Sequence, residues 1–161
     1  MHLLRRNRRQ GYSGESARTE TVILPSQKLI GRIQFGRGYL MVSKICIVDH
    51  DLASRGYLRE CLEREGHRVI TLDSGYQIKP YLSKQDFNIL ILNTDSPGVK
   101  EKGLLFEIQK SCRPRILLIV SESGDPFLKE AIDAGVYGFI HKPFNLREVC
   151  TMVDHLTRSS A

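Results

Sequence analysis

The chain lacks the features by which membrane, secreted and zinc-binding proteins are usually recognised. No apolar run approaches the roughly 18 residues that a membrane span needs, and nothing after Met1 resembles the apolar region of a signal peptide. There is no C-x-x-C pair and no cysteine–histidine spacing typical of zinc sites. The four cysteines are far apart in sequence: Cys46, Cys61, Cys112 and Cys150. We therefore expect a cytoplasmic protein with no membrane partner, no disulfide framework and no structural metal.

The basic character of the chain is confined to its first 40 residues. The full sequence of 161 residues has 24 Lys and Arg against 18 Asp and Glu, a net charge of +6. Eight of these basic residues, but only Glu15 and Glu20 among the acidic ones, lie in residues 1–40, so residues 41–161 are neutral. The length suits one domain with an appendage.

Residues 1–40 contain Gly and Ser clusters and a basic run, Arg5-Arg6-Asn7-Arg8-Arg9. Their one short apolar piece, Val22-Ile23-Leu24, precedes Pro25, so most of the segment is expected to be disordered in isolation. Three interpretations remain open: a basic arm for nucleic acid or an acidic partner, a solvated tail, or a non-native extension before a start at Met41. Nucleic acid is expected as a partner only through this tail.

From Lys44 onward, short apolar runs alternate with segments of helical periodicity. The predicted strands are 44–48, 69–72, 89–93, 116–120 and 136–141, and the helices between and after them begin near Leu52, Ser74, Gly103, Asp125 and Asn145. In the fourth helix, Leu128, Ala131 and Ile132 are expected to face inward. Strict alternation of strands and helices predicts an α/β fold, a doubly wound parallel sheet of five strands.

Four of the five predicted strands end in polar groups. Asp49, His50 and Asp51 follow the first strand, Asn93 ends the third, Ser121 follows the fourth and Lys142 follows the fifth. Taken singly, each is more often a helix cap, a loop residue or a solvated charge. In a doubly wound sheet, however, the carboxyl ends of the strands meet at the ligand-binding edge, so these groups are predicted to converge.

These residues, together with Pro97-Gly98, Ala134-Gly135 and the Lys142-Pro143 pair, carry a family resemblance. Residues 44–157 resemble the receiver domain of bacterial two-component response regulators, with strand order 2-1-3-4-5. The receiver domain is expected to span residues 41–161 with its core at 44–157, and the resemblance implies a histidine kinase or an effector as partner. Because the chain ends at Ala161, just after the last helix, a stand-alone domain is expected.

The resemblance also implies a reaction. In that family, two adjacent acids after strand one and an aspartate ending strand three hold Mg²⁺, and this aspartate takes a phosphoryl group. A hydroxyl residue and a lysine bind the phosphoryl oxygens. By the resemblance, Asp49 matches the first acid, Ser121 the hydroxyl and Lys142 the lysine, while Ser121 and Phe139 match the switch residues. For Phe139, simple core packing remains an equal alternative.

Two residues depart from the family pattern. His50 replaces the second acid, and Asn93 replaces the phosphate-accepting aspartate. An amide cannot serve as the carboxylate nucleophile, and an imidazole is a poor ligand for Mg²⁺, which leaves Asp49 as the main remnant of a degenerate metal site. We therefore expect a non-enzymatic interaction module without a cofactor, in which Lys142 pairs with Asp49 or donates to the amide oxygen of Asn93.

Three alternatives remain open. In the first, Asp95, which lies in the loop after the third strand, serves as a substitute phosphate acceptor. Asp51 is either a helix cap or a substitute metal ligand. Asp49 and Asp51 also resemble the acid pair of haloacid-dehalogenase-like phosphatases, although Ala53 does not match the Thr or Val that this family has there.

Overall fold

The computed structural model describes residues 19–22, 30–35, 38–84 and 87–159. The chain divides into two compact units, Met1–Leu40 and Met41–Ala161. This division falls where the basic composition of the sequence gives way to the neutral part. No helix in the described part of the chain is long and apolar enough to cross a membrane.

The first unit contributes strands that the sequence analysis did not predict. They are β1 (Thr19–Val22), β2 (Ile30–Phe35) and β3 (Gly38–Met41), in a sheet of that order with β1 and β2 antiparallel. Polar and apolar residues alternate from Arg32 to Phe35, which is typical of a strand. The basic run at Arg5–Arg9 and Ile23-Leu24 lie outside the described residues, so the expected disorder there remains a prediction.

The second unit is built on a five-stranded parallel sheet, as predicted. Its strands are β4 (Lys44–Val48), β5 (Arg68–Leu72), β6 (Ile89–Asn93), β7 (Arg115–Val120) and β8 (Gly138–His141). They are arranged in the order β5-β4-β6-β7-β8. Counted within this sheet alone, the order is 2-1-3-4-5, so the predicted topology is confirmed.

Five α-helices connect or follow these strands. They are α1 (Leu52–Arg64), α2 (Ile78–Leu82), α3 (Leu104–Ser111), α4 (Phe127–Asp133) and α5 (Leu146–Arg158), and a 3₁₀ turn at Gly75–Gln77 leads into α2. The predicted start of the last helix near Asn145 is confirmed: Asn145 is the N-cap of α5, and its side chain accepts a hydrogen bond from the Glu148 backbone N–H.

Two apolar cores cover the two faces of the sheet. One packs α2, α3 and α4 against residues such as Leu90 and Leu118, and the other packs α1 and α5 against residues such as Ile47 and Ile91. The alternation of side chains along each strand sends successive residues to opposite cores. The prediction that Ile132 faces inward is wrong, because it is 62% exposed while its neighbour Ala131 is buried.

One prediction about the cysteines is also wrong. The structure joins Cys61 of α1 to Cys150 of α5 as a disulfide, across 89 residues of sequence. The physical reason is helix packing: α1 and α5 lie together on one face of the sheet and turn these two side chains toward each other. Sequence spacing alone does not reveal such a pair.

Candidate functional site

The carboxyl ends of the central strands bring together Asp49, Asn93, Asp95, Ser121 and Lys142. Asp49 follows β4 and is buried, while Asn93 is the last residue of the central strand β6 and is also buried. Asp95 lies in the loop after β6, and Ser121 and Lys142 directly follow β7 and β8. The predicted convergence of these groups at one edge of the sheet is what the structure has.

The Asp49 carboxylate accepts three hydrogen bonds from donors of the protein itself. Oδ1 accepts hydrogen bonds from Asn93 Nδ2 and from the Asp51 backbone N–H, both at 2.9 Å. Oδ2 accepts from Ser54 Oγ at 2.8 Å. A buried carboxylate costs several kcal/mol unless such donors replace water, so these three bonds are what make the burial of Asp49 tolerable.

The orientation of the Asn93 amide is set by its neighbours. Its oxygen accepts from Lys142 Nζ at 3.2 Å and from the Asp95 backbone N–H at 3.0 Å, while its nitrogen donates to Asp49. In the reverse orientation, the amide N–H group would face the two donors and the amide oxygen would face the Asp49 carboxylate. The prediction that Lys142 donates to the Asn93 amide oxygen is confirmed, whereas the predicted alternative of pairing with Asp49 is not observed.

Lys142 forms its ion pair with Asp95 instead. Lys142 Nζ lies 2.8 Å from Asp95 Oδ2, and Ser121 Oγ donates to the same oxygen at 2.5 Å. The hydrogen bonds from Lys142 and then Ser121 hold the pKa of Asp95 below its usual range. Asp95 is thus a carboxylate held between the hydroxyl and the ammonium group at the mouth of the site.

His50 and Asp51 lie at the start of α1 and have different roles. The His50 ring is about half exposed, with Nδ1 3.3 Å from Ser96 Oγ and 3.8 Å from Asp49 Oδ1. Asp51 is the N-cap of α1, and its side chain accepts from the Ser54 backbone N–H at 2.6 Å. Of the two roles left open for Asp51, the cap is the one observed.

Sequence reasoning missed three residues that complete the site. Ser54 donates to Asp49, Arg55 Nη1 donates to the Asp49 backbone carbonyl at 2.5 Å, and the buried Ser96 accepts from the His50 backbone N–H at 2.9 Å. The available signal was spacing: Ser54 and Arg55 lie one turn into the helix that follows Asp49, where side chains reach back to the preceding loop.

The loop after β6 is braced by the segment after β5. The Gly75 backbone N–H donates to the Pro97 carbonyl at 2.7 Å, and a Cβ on Gly75 would lie only 2.5 Å from the Gly98 carbonyl carbon. Gly98 itself has a positive φ of 76°, which favours glycine. The two glycines allow the backbones to touch, and this contact fixes the loop that carries Asp95.

The family model for the response regulator receiver domain matches residues 45–154, which is more than half of the chain. The chain belongs to the response regulator receiver family. The resemblance drawn from Asp49, Ser121 and Lys142 is therefore confirmed at the level of the family. Asn93 stands where that resemblance implies a phosphate-accepting aspartate.

Similar proteins support this assignment. The chain is 27% identical over 105 residues to the aerobic respiration control protein ArcA of Escherichia coli K12, covering 65% of this chain and 44% of that protein. It is 29% identical over 110 residues to the transcriptional regulatory protein GlnL of Bacillus subtilis, covering 66% and 35%. The receiver therefore spans less than half the length of these curated relatives.

Solved receivers share the fold. A CheY-like receiver domain protein of Methanospirillum hungatei superposes with a TM-score of 0.68 at 20% identity, covering 73% of this chain and 95% of that one. The receiver domain of the histidine kinase PA1611 of Pseudomonas aeruginosa, solved with a coordinated magnesium ion, gives 0.63 at 17% identity, covering 72% and 98%. At these identities the likeness concerns the fold alone.

The residues of this receiver do not fit the magnesium ion that the family implies. Mg²⁺ requires oxygen ligands in near-octahedral geometry, but the Asn93 amide directs its N–H group toward Asp49, and a donor repels a cation. His50 supplies an imidazole where a carboxylate is expected. Asp49 Oδ1 already accepts two hydrogen bonds and Oδ2 accepts one, so a metal would compete with these donors for the carboxylate.

Phe139 packs against the core, and its role as a switch residue stays a prediction. Its side chain is partly buried and packs against the core cluster that contains Leu118. The two residues are also paired across β7 and β8. Ser121, the other switch residue, is exposed and bonded to Asp95.

Proposed function

We propose that this receiver acts in two-component signalling as a protein-binding module. Its conformation does not depend on phosphorylation, because Asn93 occupies the position of the phosphate acceptor. It has no catalytic activity of its own in this proposal and needs no Mg²⁺. Its partner is another signalling protein, a histidine kinase or an effector, as is typical of the family. This function is assigned to the receiver, residues 41–161. The curated relatives are longer than the receiver, and the activities of their other parts are not assigned to this chain.

The observation that carries the proposal is the position of the Asp95 carboxylate. Asp95 Oδ2 accepts from Ser121 Oγ and Lys142 Nζ, the two side chains that would hold phosphoryl oxygens in a conventional receiver. A carboxylate presents the same chemistry as a phosphoryl oxygen, namely a negatively charged acceptor. An internal group therefore makes the contacts that phosphorylation would otherwise provide.

The balance of charge supports the same conclusion. A conventional receiver site has three carboxylates and one lysine, an excess of negative charge that a divalent cation balances. In this receiver the Asp95 carboxylate is matched by Lys142, and the Asp49 carboxylate is held by neutral donors, one of them from Asn93. Two carboxylates at 4 Å would repel by about 4 kcal/mol at an effective dielectric constant near 20, and the amide removes that repulsion.

Intact-mass spectrometry after incubation with acetyl phosphate and Mg²⁺ tests the proposal. The natural chain is expected to keep its mass, because no carboxylate occupies the acceptor position. The double variant His50→Asp with Asn93→Asp restores both missing carboxylates and is expected to gain one phosphoryl group. Phosphorylation of the natural chain at any residue of this site would contradict the proposal.

The alternative of phosphate transfer to Asp95 has one observation in its favour. The Asp95 side chain is 37% exposed and lies beside Ser121 and Lys142, the phosphoryl-binding pair of the family. In the same experiment, phosphorylation that is present in the natural chain and lost in Asp95→Asn would select this alternative. Asp73→Asn, a change of an exposed acid beyond the end of β5, is the matched control.

A further inference from the structure

A second cluster of reactive side chains lies away from the receiver site, where α1 packs against α5. It consists of Cys61 and Glu65, one turn apart at the end of α1, and Cys150 of α5. Their Sγ and carboxylate oxygen atoms all lie within 4.8 Å of one another. We propose that, in the reduced protein, these three side chains bind a thiophilic divalent cation of the Zn²⁺ type.

The chemistry of the donor set selects the class of metal. Two thiolates favour Zn²⁺ over the hard cations Mg²⁺ and Ca²⁺, which prefer oxygen ligands. Zinc takes thiolate sulfur at about 2.3 Å and carboxylate oxygen at about 2.0–2.2 Å in a tetrahedron, which places the donors about 3.4–3.8 Å apart. In the structure the two sulfur atoms are bonded to each other and the Glu65 carboxylate lies within 4.8 Å of both, so reduction leaves three donors close to these separations. Solvent supplies the fourth ligand because Glu65 is partly exposed.

The backbone supports two separate thiolates. The Cα atoms of Cys61 and Cys150 are 7.2 Å apart, beyond the range of about 4.4–6.8 Å in which most disulfides form. Cys61 and Glu65 are related by four residues, the spacing at which side chains share one helical face. This is also the spacing of the two histidine ligands in the H-E-x-x-H zinc motif.

The surroundings favour a cation. The site lies at the C-terminus of α1, the negative end of the helix dipole. The nearby His67 is not one of the proposed ligands, because both of its ring nitrogens have other roles. Its Nδ1 accepts from the Ser43 backbone N–H, so Nε2 carries the proton and lies 4.0 Å from Glu65 Oε2.

Binding is balanced by the release of protons. Each of Cys61 and Cys150 loses its thiol proton to solvent as the Zn–S bond forms, and Glu65 binds as the carboxylate. No electron is transferred in this step. The disulfide that the structure contains is the oxidised form of the same pair, and it has no thiolate to offer a metal.

The test uses the full chain, reduced with a phosphine reductant and kept free of oxygen. Titration with Co²⁺ is expected to give the thiolate charge-transfer absorption of a tetrahedral site, which added Zn²⁺ removes, and native mass spectrometry is expected to find one Zn²⁺ per chain. Cys61→Ser and Cys150→Ser are each expected to weaken Zn²⁺ binding more than about 100-fold, since outer-shell partners alone contribute about 10–100-fold. Glu65→Gln is expected to weaken it by about 10–100-fold.

Matched controls keep the test specific. Cys112→Ser removes a thiol outside the cluster, and Glu60→Gln removes an exposed acid from the same helix. Both are expected to leave the Zn²⁺ affinity within about twofold of the natural chain. Circular dichroism on each variant separates a lost ligand from a lost fold. The proposal is overturned if the folded, reduced chain binds no Zn²⁺, or if binding is unchanged when Cys61 and Cys150 are both replaced by Ser.

Discussion

Asn93 Nδ2 donates a hydrogen bond to Asp49 Oδ1 over 2.9 Å, between two side chains that are both almost completely buried. This bond joins the end of the central strand β6 to the end of its neighbour β4. It places a donor against Asp49, the residue that matches the first acid of the family pattern. The stability of this edge of the sheet therefore depends on Asn93 being an amide.

Asn93→Asp is expected to destabilise the metal-free protein. The new carboxylate would face Asp49 in a buried position, and we expect a loss of about 2–4 kcal/mol in the free energy of unfolding at pH 7. Urea denaturation measures this loss. Asn88→Asp is the matched control. The Asn88 side-chain oxygen accepts a hydrogen bond from the Lys44 backbone N–H, and an aspartate at this position can accept the same bond. Equal effects of the two substitutions would contradict the prediction.

The ion pair of Asp95 is expected to give a small, pH-dependent contribution to stability. Lys142 and Ser121 lower the pKa of Asp95 from its ordinary value of 3.8, so the folded state binds the proton less tightly than the unfolded state. The contribution is complete above pH 3.8 and is lost as the pH falls through the folded pKa.

Because Asp95 and Lys142 are each about one third exposed, solvent screening limits the contribution to about 0.5 kcal/mol. The difference in urea midpoint between the natural chain and Asp95→Asn measures it. We expect a difference at pH 7 that shrinks on acidification below about pH 4. A difference that grows as the pH falls would have the wrong sign and would exclude the ion pair as its source.

Asp51→Ala is expected to destabilise α1 by about 0.5–2 kcal/mol, because the Ser54 backbone N–H loses its capping acceptor. Asp51→Ser keeps a capping oxygen and is expected to retain most of that stability. Thermal unfolding of both variants provides the measurement. If serine cost as much as alanine, Asp51 would have a role other than capping.

Gly75→Ala is expected to destabilise the protein by about 1–3 kcal/mol, because the added Cβ would meet the Gly98 backbone and force it to move. Gly56→Ala is the contrasting control. Gly56 lies within α1, and a Cβ there meets nothing within 4 Å, so alanine is expected to raise stability by about 0.5–1 kcal/mol. Chemical denaturation of the two variants should give shifts of opposite sign.

The sequence predicted the second unit of the fold well because each element carried its own local signal. The five apolar runs gave the strands, and Asn145 and Asp51 were recognisable as helix caps. The pocket members Asp49 and Asn93 followed from topology, since parallel strands deliver their ends to one edge.

The sequence did not reveal the side-chain contacts that depend on how distant elements pack together. Lys142 was expected to pair with Asp49 or to donate to Asn93. It does donate to Asn93, but its ion pair is with Asp95, which the loop after β6 places beside it. The meeting of Cys61 and Cys150 depends on how α1 packs against α5. Ile132 follows an apolar pattern, yet α4 is short and buries Phe127 and Ala131 instead.

Strand β6 is paired with β4 from Ile89 to Leu92 and with β7 from Ile89 to Asn93. Its backbone is therefore fixed by its neighbours whichever side chain it carries at its end. In genetic terms, asparagine and aspartate codons differ by a single base, so one base change places a carboxylate at this position. Such a change leaves the sheet that presents the side chain in place, and its cost is the local loss of stability expected for Asn93→Asp.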